Sequence, residues 1–292
     1  MTSSQSPGDI RQSLEFASFM EAIGWKVRQF SGRNVFLRKF PFLGNYAKCP
    51  RPDPPLLFLG IDEFLAKNKV FHFKIAANIT TDSPLLTQER EKLIKNNFRI
   101  DSDPFNPTTT ILVDLKRGED EIFKSFSEAK RRAVRRALKN SIKVELSNDI
   151  EAFIRIRKEH FFPMGFLVTS EMLALWKNFY PKKADLLLAK IGGGKFMAGI
   201  LLLYHKSIAY YWFAAATKSG KKLFAPTLLV YEAIKQAKKR GCLFLDFEGI
   251  YDERFPKASE SWRGFTKFKE GFSDKKIIFM ENFYLGRRKT SR

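Results

Sequence analysis

Segments typical of β-strands alternate with segments typical of α-helices along the whole chain, and this order runs twice. Strand patterns cover residues 25–30, 35–40, 70–76 and 108–115 in the first half, and 184–191, 195–204, 208–216 and 242–247 in the second. Helical patterns lie between them. A chain that interleaves the two kinds of element packs helices against sheets. We therefore expect a mixed α/β protein with one sheet in each half and a last strand near residues 276–285.

Composition excludes several classes of protein. The chain has 292 residues, of which 44% are hydrophobic and 28% charged, so a buried core is expected and general disorder is not. Two cysteines, Cys49 and Cys242, exclude a disulfide scaffold, and the three histidines lack the spacing of a zinc site. The longest apolar runs have about half of the ~20 residues that span a membrane. Residues 1–10 contain no apolar signal segment. A soluble, cytoplasmic protein is therefore expected.

The net charge is strongly positive. Lys and Arg number 52 against 31 Asp and Glu, which gives a formal net charge of +21. Such an excess indicates a polyanionic partner, which is a nucleic acid, a phosphorylated ligand or an anionic membrane surface. A cationic surface that contacts only water is the alternative interpretation.

The helix predicted over residues 119–139 concentrates part of this charge on one face. Its predicted buried face consists of Ile122, Phe126, Ala129, Ala133 and Ala137. A second face, at the spacing i, i+3, i+4 and i+7, consists of Arg132, Arg135, Arg136 and Lys139. Like charges on adjacent turns repel each other by about 0.2–0.5 kcal/mol per pair, and a bound anion would offset this cost. The alternative is a hydrated helix face.

The loop over residues 217–226 links a strand to a helix. Acetyltransferase-like folds bind the pyrophosphate of coenzyme A at such a place with a Q/R-x-x-G-x-G/A loop. This loop has one glycine where that motif has two, and Pro226 removes an amide donor. Lys221 and Lys222 remain candidate phosphate contacts, with a solvated basic turn as the alternative.

Two later segments carry the candidate catalytic residues. Asp246 and Glu248 lie two positions apart at the end of a predicted strand, so both side chains lie on one face of the sheet edge where ligands bind in α/β folds. Lys269 follows Phe268 on a short predicted helix rich in phenylalanine. An ammonium group fixed beside a pocket stabilises an oxyanion or an acidic ligand.

In their order and spacing, five stretches resemble the FemABX family of peptidoglycan-bridge aminoacyltransferases. They are residues 110–115 (TILVDL), 129–137 (AKRRAVRRA), 224–226 (FAP), 245–250 (LDFEGI) and 264–272 (GFTKFKEGF). The resemblance covers most of the chain and is strongest in the second half. It implies two GNAT-like domains in tandem, over residues 1–144 and 145–275, with a C-terminal segment, 276–292, that returns to the first domain.

The resemblance also implies an activity, the transfer of an amino acid from tRNA to the amine of a peptidoglycan precursor. Phe268 and Lys269 match the family's Phe-Lys pair, which implies that Lys269 contacts the aminoacyl end or the developing oxyanion. The proton of the amine is expected to go to Asp246, to Glu248, to water or to a carboxylate of the substrate itself. The predicted substrate and tRNA contacts are Arg132, Arg135, Arg136, Lys139, Lys221, Lys222, Phe224 and Tyr211.

The implied partners are aminoacyl-tRNA, a precursor linked to UDP or to a lipid, and the inner membrane surface. No metal or organic cofactor is implied, and the chain is expected to act as a monomer. Positions where UDP-binding members carry Lys, Arg and Asp hold Ser18 or Phe19, Val168 and Lys74 here, which leaves the acceptor open. The alternatives are a GNAT-like N-acyltransferase with another donor or acceptor, and a non-catalytic RNA-binding protein.

Overall fold

Two mixed β-sheets organise the chain, which confirms the α/β class predicted from the sequence. The computed structural model describes residues 8–160 and 169–286, so Val168 and the first seven residues, considered above, lie outside the described part. The strands are β1 (Lys26–Phe30), β2 (Arg33–Phe40), β3 (Gly44–Pro50), β4 (Val70–Ala76), β5 (Arg99–Ile100), β6 (Thr109–Asp114), β7 (Ile142–Ser147), β8 (Ala184–Ile191), β9 (Phe196–His205), β10 (Ile208–Ala216), β11 (Phe244–Gly249), β12 (Lys276–Ile278) and β13 (Phe283–Gly286).

Helices lie between these strands. They are α1 (Leu14–Ala22), α2 (Ile61–Lys67), α3 (Leu86–Lys95), α4 (Glu119–Ser125), α5 (Glu128–Lys139), α6 (Ile150–His160), α7 (Thr169–Phe179), α8 (Lys218–Lys222), α9 (Ala225–Lys239), α10 (Pro256–Ser259) and α11 (Arg263–Glu270), with 3-10 turns at Ile10–Gln12 and Glu260–Trp262. The described residues form two compact units. The first comprises residues 8–109, 249–263 and 277–286, and the second comprises the rest.

The first unit contains a six-stranded sheet in the order β1-β2-β3-β4-β13-β5. The late strand β13 pairs antiparallel with β4, with Phe283 opposite Ile75 and Leu285 opposite Phe73. The predicted return of the C-terminal strand is therefore confirmed. One face of this sheet buries Val35, Phe73, Ile75 and Phe283 against residues of α2 and α3, because the strand period of two places these side chains on the same side.

The second unit contains a seven-stranded sheet in the order β12-β6-β11-β10-β9-β8-β7. β7, β8, β9 and β10 form antiparallel pairs, whereas β10 and β11 are parallel. The parallel register runs from Ile208 opposite Phe244 to Tyr210 opposite Asp246, although β10 continues to Ala216. A register shift between Tyr211 and Phe213 follows at once. The carboxyl end of β11 thus lies where the parallel pairing ends.

Three predicted features differ from the structure. The helix predicted over 119–139 is two helices, because Phe126 is extended and the Ser127 hydroxyl caps α5 by accepting from the Lys130 amide. Ala129 is therefore exposed, although its neighbour Ala133 is buried. The loop 217–226 contains the short helix α8, capped by Thr217. Residues 110–144, predicted with the first domain, lie in the second unit because β6 and β7 belong to its sheet.

Candidate active site

The end of β11 presents two carboxylates on one face. Leu245 and Phe247 are buried, whereas Asp246 and Glu248, which alternate with them along the strand, are partly accessible. This alternation is the period of two that a strand has. Asp246 Oδ1 accepts hydrogen bonds from the Thr110 hydroxyl and from the Glu248 amide, the latter at 2.7 Å. These bonds fix the Asp246 carboxylate against the neighbouring strand β6.

Glu248 has a backbone conformation that non-glycine residues rarely adopt. Its φ of 61° lies in the left-handed region, which costs an L-residue about 1–2 kcal/mol. Such strain persists where the surrounding structure enforces it, and functional sites are common places for it. The Thr110 hydroxyl, 2.7 Å from the Glu248 carbonyl oxygen, is one such constraint.

Lys269 lies on α11 and is only 7% exposed. Burial of its ammonium group lowers the pKa of Lys269 to about 8, while the nearby carboxylates of Glu248 and Asp246 act in the opposite direction. The structure therefore brings together three of the four predicted catalytic residues: one buried amine and two carboxylates. The Phe265 ring also lies beside this amine, with Nζ 4.9 Å from the ring centroid.

Phe268, the fourth predicted catalytic residue, is part of an aromatic cluster with a second lysine. Its ring packs edge-on against Phe272, with centroids 5.2 Å apart. Lys130 Nζ lies 3.8 Å from the Phe268 centroid and 5.1 Å from that of Phe272. A Cβ at Gly271 would come within 2.6 Å of Lys130 Cε, so only glycine leaves room for this side chain.

The sequence interpretation missed Lys130. Burial lowers its pKa from 10.5 to about 8, and no carboxylate of the described residues forms an ion pair with it. The sequence contains a signal for Lys130, because this residue precedes the buried Ala133, Val134 and Ala137 at helical spacing. A lysine on the buried face of an amphipathic helix is unusual and indicates a site.

The cations predicted to bind RNA lie on the exposed side of α5. Arg132 forms an exposed ion pair with Glu128 at 3.4 Å. Arg135 and Arg136 are exposed and lie 5.8 Å from the Phe123 ring and 5.7 Å from the Phe224 ring, respectively. Lys139 is exposed at the last position of the helix. This face is therefore accessible to a polyanion along its length.

The other predicted contacts lie on or near α8 and β10. Lys221 and Lys222 are exposed on α8. Phe224 precedes α9 with a left-handed φ of 63°. The Tyr211 ring lies 5.4 Å from that of Phe247, and burial raises the pKa of its hydroxyl well above the usual range. Tyr211 is therefore next to the strand that carries the carboxylates.

Two kinds of feature are absent from residues 8–160 and 169–286. No group of three or more His, Cys, Asp and Glu side chains there has the arrangement of a metal site. No helix in the same ranges has both the length and the apolar character needed to cross a membrane.

Comparison with known proteins identifies relatives of this fold. The model of the FemAB family matches residues 177–289. Among solved structures, the crystal structure of FemX superposes with a TM-score of 0.82 at 17% identity, covering 97% of this chain and 94% of that one. No curated protein gives a significant sequence match.

Two further structures share the architecture at a greater distance. The C-terminal domain of a putative lysylphosphatidylglycerol synthetase from Agrobacterium fabrum has a TM-score of 0.60 at 14% identity, covering 94% of this chain and 87% of that one. A tandem GNAT protein from the clavulanic acid biosynthesis pathway has a TM-score of 0.52 at 10% identity, with coverages of 88% and 81%. The predicted fold of two GNAT-like domains in tandem is confirmed, and the FemAB family match over residues 177–289 supports the resemblance to the FemABX family that the sequence predicts.

Proposed function

We propose that this protein transfers an amino acid from the 3′ ester of an aminoacyl-tRNA to the amine of a peptidoglycan precursor. The observation that carries the proposal is the buried Lys269 amine, which interacts with Asp246 and Glu248 at the end of β11, within the segment that matches the FemAB family model. An ester is already activated, so catalysis needs mainly positioning, a proton acceptor and stabilisation of the oxyanion.

In the proposed reaction, the precursor amine attacks the ester carbonyl carbon. A C–N bond forms, the carbonyl oxygen becomes an oxyanion, and the bond to the ribose oxygen then breaks, which releases the tRNA with a free hydroxyl. The Lys269 ammonium stabilises the oxyanion, as a fixed cation does best in a poorly hydrated place. Phe268 packs beside the aminoacyl end.

Glu248 is our candidate for the group that accepts the proton of the attacking amine. Asp246 shares the same face, but its Oδ1 already accepts hydrogen bonds from Thr110 and from the Glu248 amide. These bonds occupy that oxygen and hold the Asp246 carboxylate in place against β6. We therefore assign Asp246 to the positioning of Glu248 and Lys269.

Exposed cations are proposed to hold the RNA. Arg135, Arg136 and Lys139 lie on one side of α5, and Lys221 and Lys222 lie on α8 in the same unit. Contacts of this kind neutralise phosphates without reading sequence, so they would accept the acceptor stem of any tRNA. They supply affinity for the RNA and do not select the amino acid.

The test is a transfer assay with the full chain. Charged tRNAs are incubated with nucleotide-linked and lipid-linked precursors, and mass spectrometry follows the precursor for the addition of an amino acid. We expect one residue to be added to one class of precursor, at a rate that Lys269→Ala lowers. A Lys269→Ala variant as fast as the wild type would disprove the role of Lys269.

Two other results would replace the proposal. Binding of tRNA that weakens steeply with salt, without transfer to any precursor, would indicate an RNA-binding protein. Thermal stabilisation by coenzyme A, and none by aminoacyl-tRNA, would indicate a GNAT-like acyltransferase with another donor. Both measurements use the same preparation, so the three functions are distinguished directly.

A further inference from the structure

The turn between β2 and β3 carries three large apolar side chains in water. Phe42 is 109% exposed relative to a reference residue, Leu43 is 57% exposed and Phe40 is 43% exposed. We call these three residues the β2–β3 tip. Phe40 also contacts the Phe71 ring, with centroids 6.0 Å apart, which extends the apolar surface onto β4. A contiguous exposed apolar surface indicates a binding site more often than a single exposed apolar side chain does.

The chain segment that carries the β2–β3 tip has charges of one sign, although Asp101 and Asp103 act on Tyr46, whose ring lies 6.5 Å from that of Phe40. Residues 22–52 contain no Asp or Glu, and their cations are Lys26, Arg28, Arg33, Arg38, Lys39, Lys48 and Arg51. Arg38 and Lys39 precede the tip directly and are exposed. Lys69 lies on the other side of the tip, because its carbonyl oxygen accepts a hydrogen bond of 2.8 Å from the Asn45 amide. Arg38, Lys39 and Lys69, which are exposed and flank the tip, therefore form a cationic collar, whereas Arg33 lies at the other end of β2 and Arg51 is buried.

We propose that the β2–β3 tip inserts into the surface of a membrane that contains anionic lipids. Phe42 and Leu43 would enter the boundary between headgroups and acyl chains, while Arg38, Lys39 and Lys69 contact lipid phosphates. Burial of apolar side chains and attraction to anionic headgroups are the two contributions that hold peripheral proteins on bilayers. This docking does not depend on the proposed transfer reaction, and it would bring the chain to acceptors that are linked to lipid.

RNA is the other polyanion that a cationic collar could contact. RNA phosphates would pair with the cations, but Leu43 would contribute no binding free energy to that contact. A bilayer, in contrast, binds more tightly with every apolar side chain that it buries. The juxtaposition of a fully exposed aromatic side chain, Phe42, and a largely exposed aliphatic one, Leu43, at the turn therefore favours the lipid surface.

The test measures binding of the full chain to sedimented vesicles. We expect binding to vesicles of phosphatidylcholine mixed with phosphatidylglycerol, and at least about tenfold weaker binding to phosphatidylcholine alone. The double variant Phe42→Ser, Leu43→Ser is expected to bind the anionic vesicles about tenfold or more weakly than wild type. The matched control is Leu59→Ser, since Leu59 is 95% exposed in the same unit but outside the tip, and its binding should equal that of wild type.

A second measurement tests insertion directly. In a Phe42→Trp variant, the added fluorescence should be quenched by brominated acyl chains in anionic vesicles, because the new side chain reaches the acyl boundary. Wild-type binding by the double variant, equal binding to neutral vesicles, or no quenching would each disprove insertion of the tip. Loss of tRNA affinity in the double variant would assign the tip to RNA instead. Transfer to a nucleotide-linked precursor should be unchanged in that variant, which separates this proposal from the proposed function.

Discussion

Lys269 owes its ionisation to two opposing effects. Burial removes water from the ammonium group and favours the neutral amine, while Glu248 and Asp246 favour the charged form. The result is a pKa of about 8, well below that of a lysine in water. The side chain therefore changes its charge close to neutral pH, so its role in transfer has a signature in the pH dependence of the rate.

We predict that the transfer rate falls as the pH rises through about 8, because the Lys269 ammonium is lost there. Lys269→Arg keeps the positive charge, so this fall should disappear even though the rate is lower. Lys269→Met should lower kcat/KM about 10²–10³-fold. Initial rates across this pH range provide the measurement.

The control for this prediction is Lys267→Met, because Lys267 is an exposed lysine on the same helix. It should transfer at the wild-type rate at every pH. A fall with pH that is the same in wild type and in Lys269→Arg would show that another group titrates.

Lys130 gives a prediction about stability. Its pKa is lowered from 10.5 to about 8 in the folded chain, so folding must bury a charge at any pH below about 8. This penalty shrinks as the pH rises from about 8 toward 10.5, where the unfolded chain also loses the proton. Lys130→Met, which keeps the shape but not the charge, should therefore raise Tm more at neutral pH than at high pH.

Thermal unfolding at the two pH values measures this difference. Lys124→Met, an exposed lysine on α4, is the matched control and should change Tm little at either pH. A lower Tm in Lys130→Met at neutral pH would mean that the ammonium stabilises the cluster through the Phe268 and Phe272 rings more than burial costs.

At the scale of elements, α5 combines two functions on one helix. Its buried face, with Ala133, Val134 and Ala137, packs into the unit, and its exposed face carries Arg135, Arg136 and Lys139. The helix thus presents its cations to solvent in a fixed arrangement. A row of cations on a folded helix binds a polyanion with less loss of backbone freedom than a disordered basic segment does.

We predict that replacing Arg135, Arg136 and Lys139 by Gln weakens tRNA binding and lowers the slope of log affinity against log salt by about one per lost phosphate contact. Titrations at several salt concentrations measure both quantities. The control replaces three exposed lysines of the same unit that lie outside α5, Lys143, Lys177 and Lys182, by Gln. An equal loss in the control would mean that only net charge matters.

The elements were largely predictable from the sequence, whereas their breaks and tertiary contacts were not. Strand alternation located β2, β4, β9 and β10 because one face of each strand is buried. The break before α5 depends on one capping hydroxyl at Ser127, which periodicity does not detect. The helical spacing of Lys130 from buried residues was visible in the sequence, but its contact with Phe268, which is distant in sequence, is formed only in the folded chain.

At the scale of the whole molecule, the first unit is assembled from three separate pieces of chain. Its sheet places β13 between β4 and β5, although about two hundred residues separate these strands from β13 in the sequence. Phe283 and Met280, both fully buried, supply part of the core of that unit. The stability of the first unit therefore depends on the last described strand.

We predict that Phe283→Ala lowers the free energy of unfolding by about 3–5 kcal/mol, since it leaves a cavity in this core. Ile278→Ala should cost much less, because Ile278 is partly exposed. Denaturant titration of both variants measures the difference. Equal effects would show that the core relaxes around the cavity at Phe283.

The position of β13 has a consequence for synthesis on the ribosome. Until residues 283–286 have left the exit tunnel, β4 and β5 lack the neighbour that satisfies their backbone groups. The sheet of the first unit, whose other strands are translated early, is therefore completed late. Until then, its unpaired strand edges can pair with other nascent chains. A chaperone that covers β4 and β5 is expected to protect these edges until residues 283–286 can pair with them.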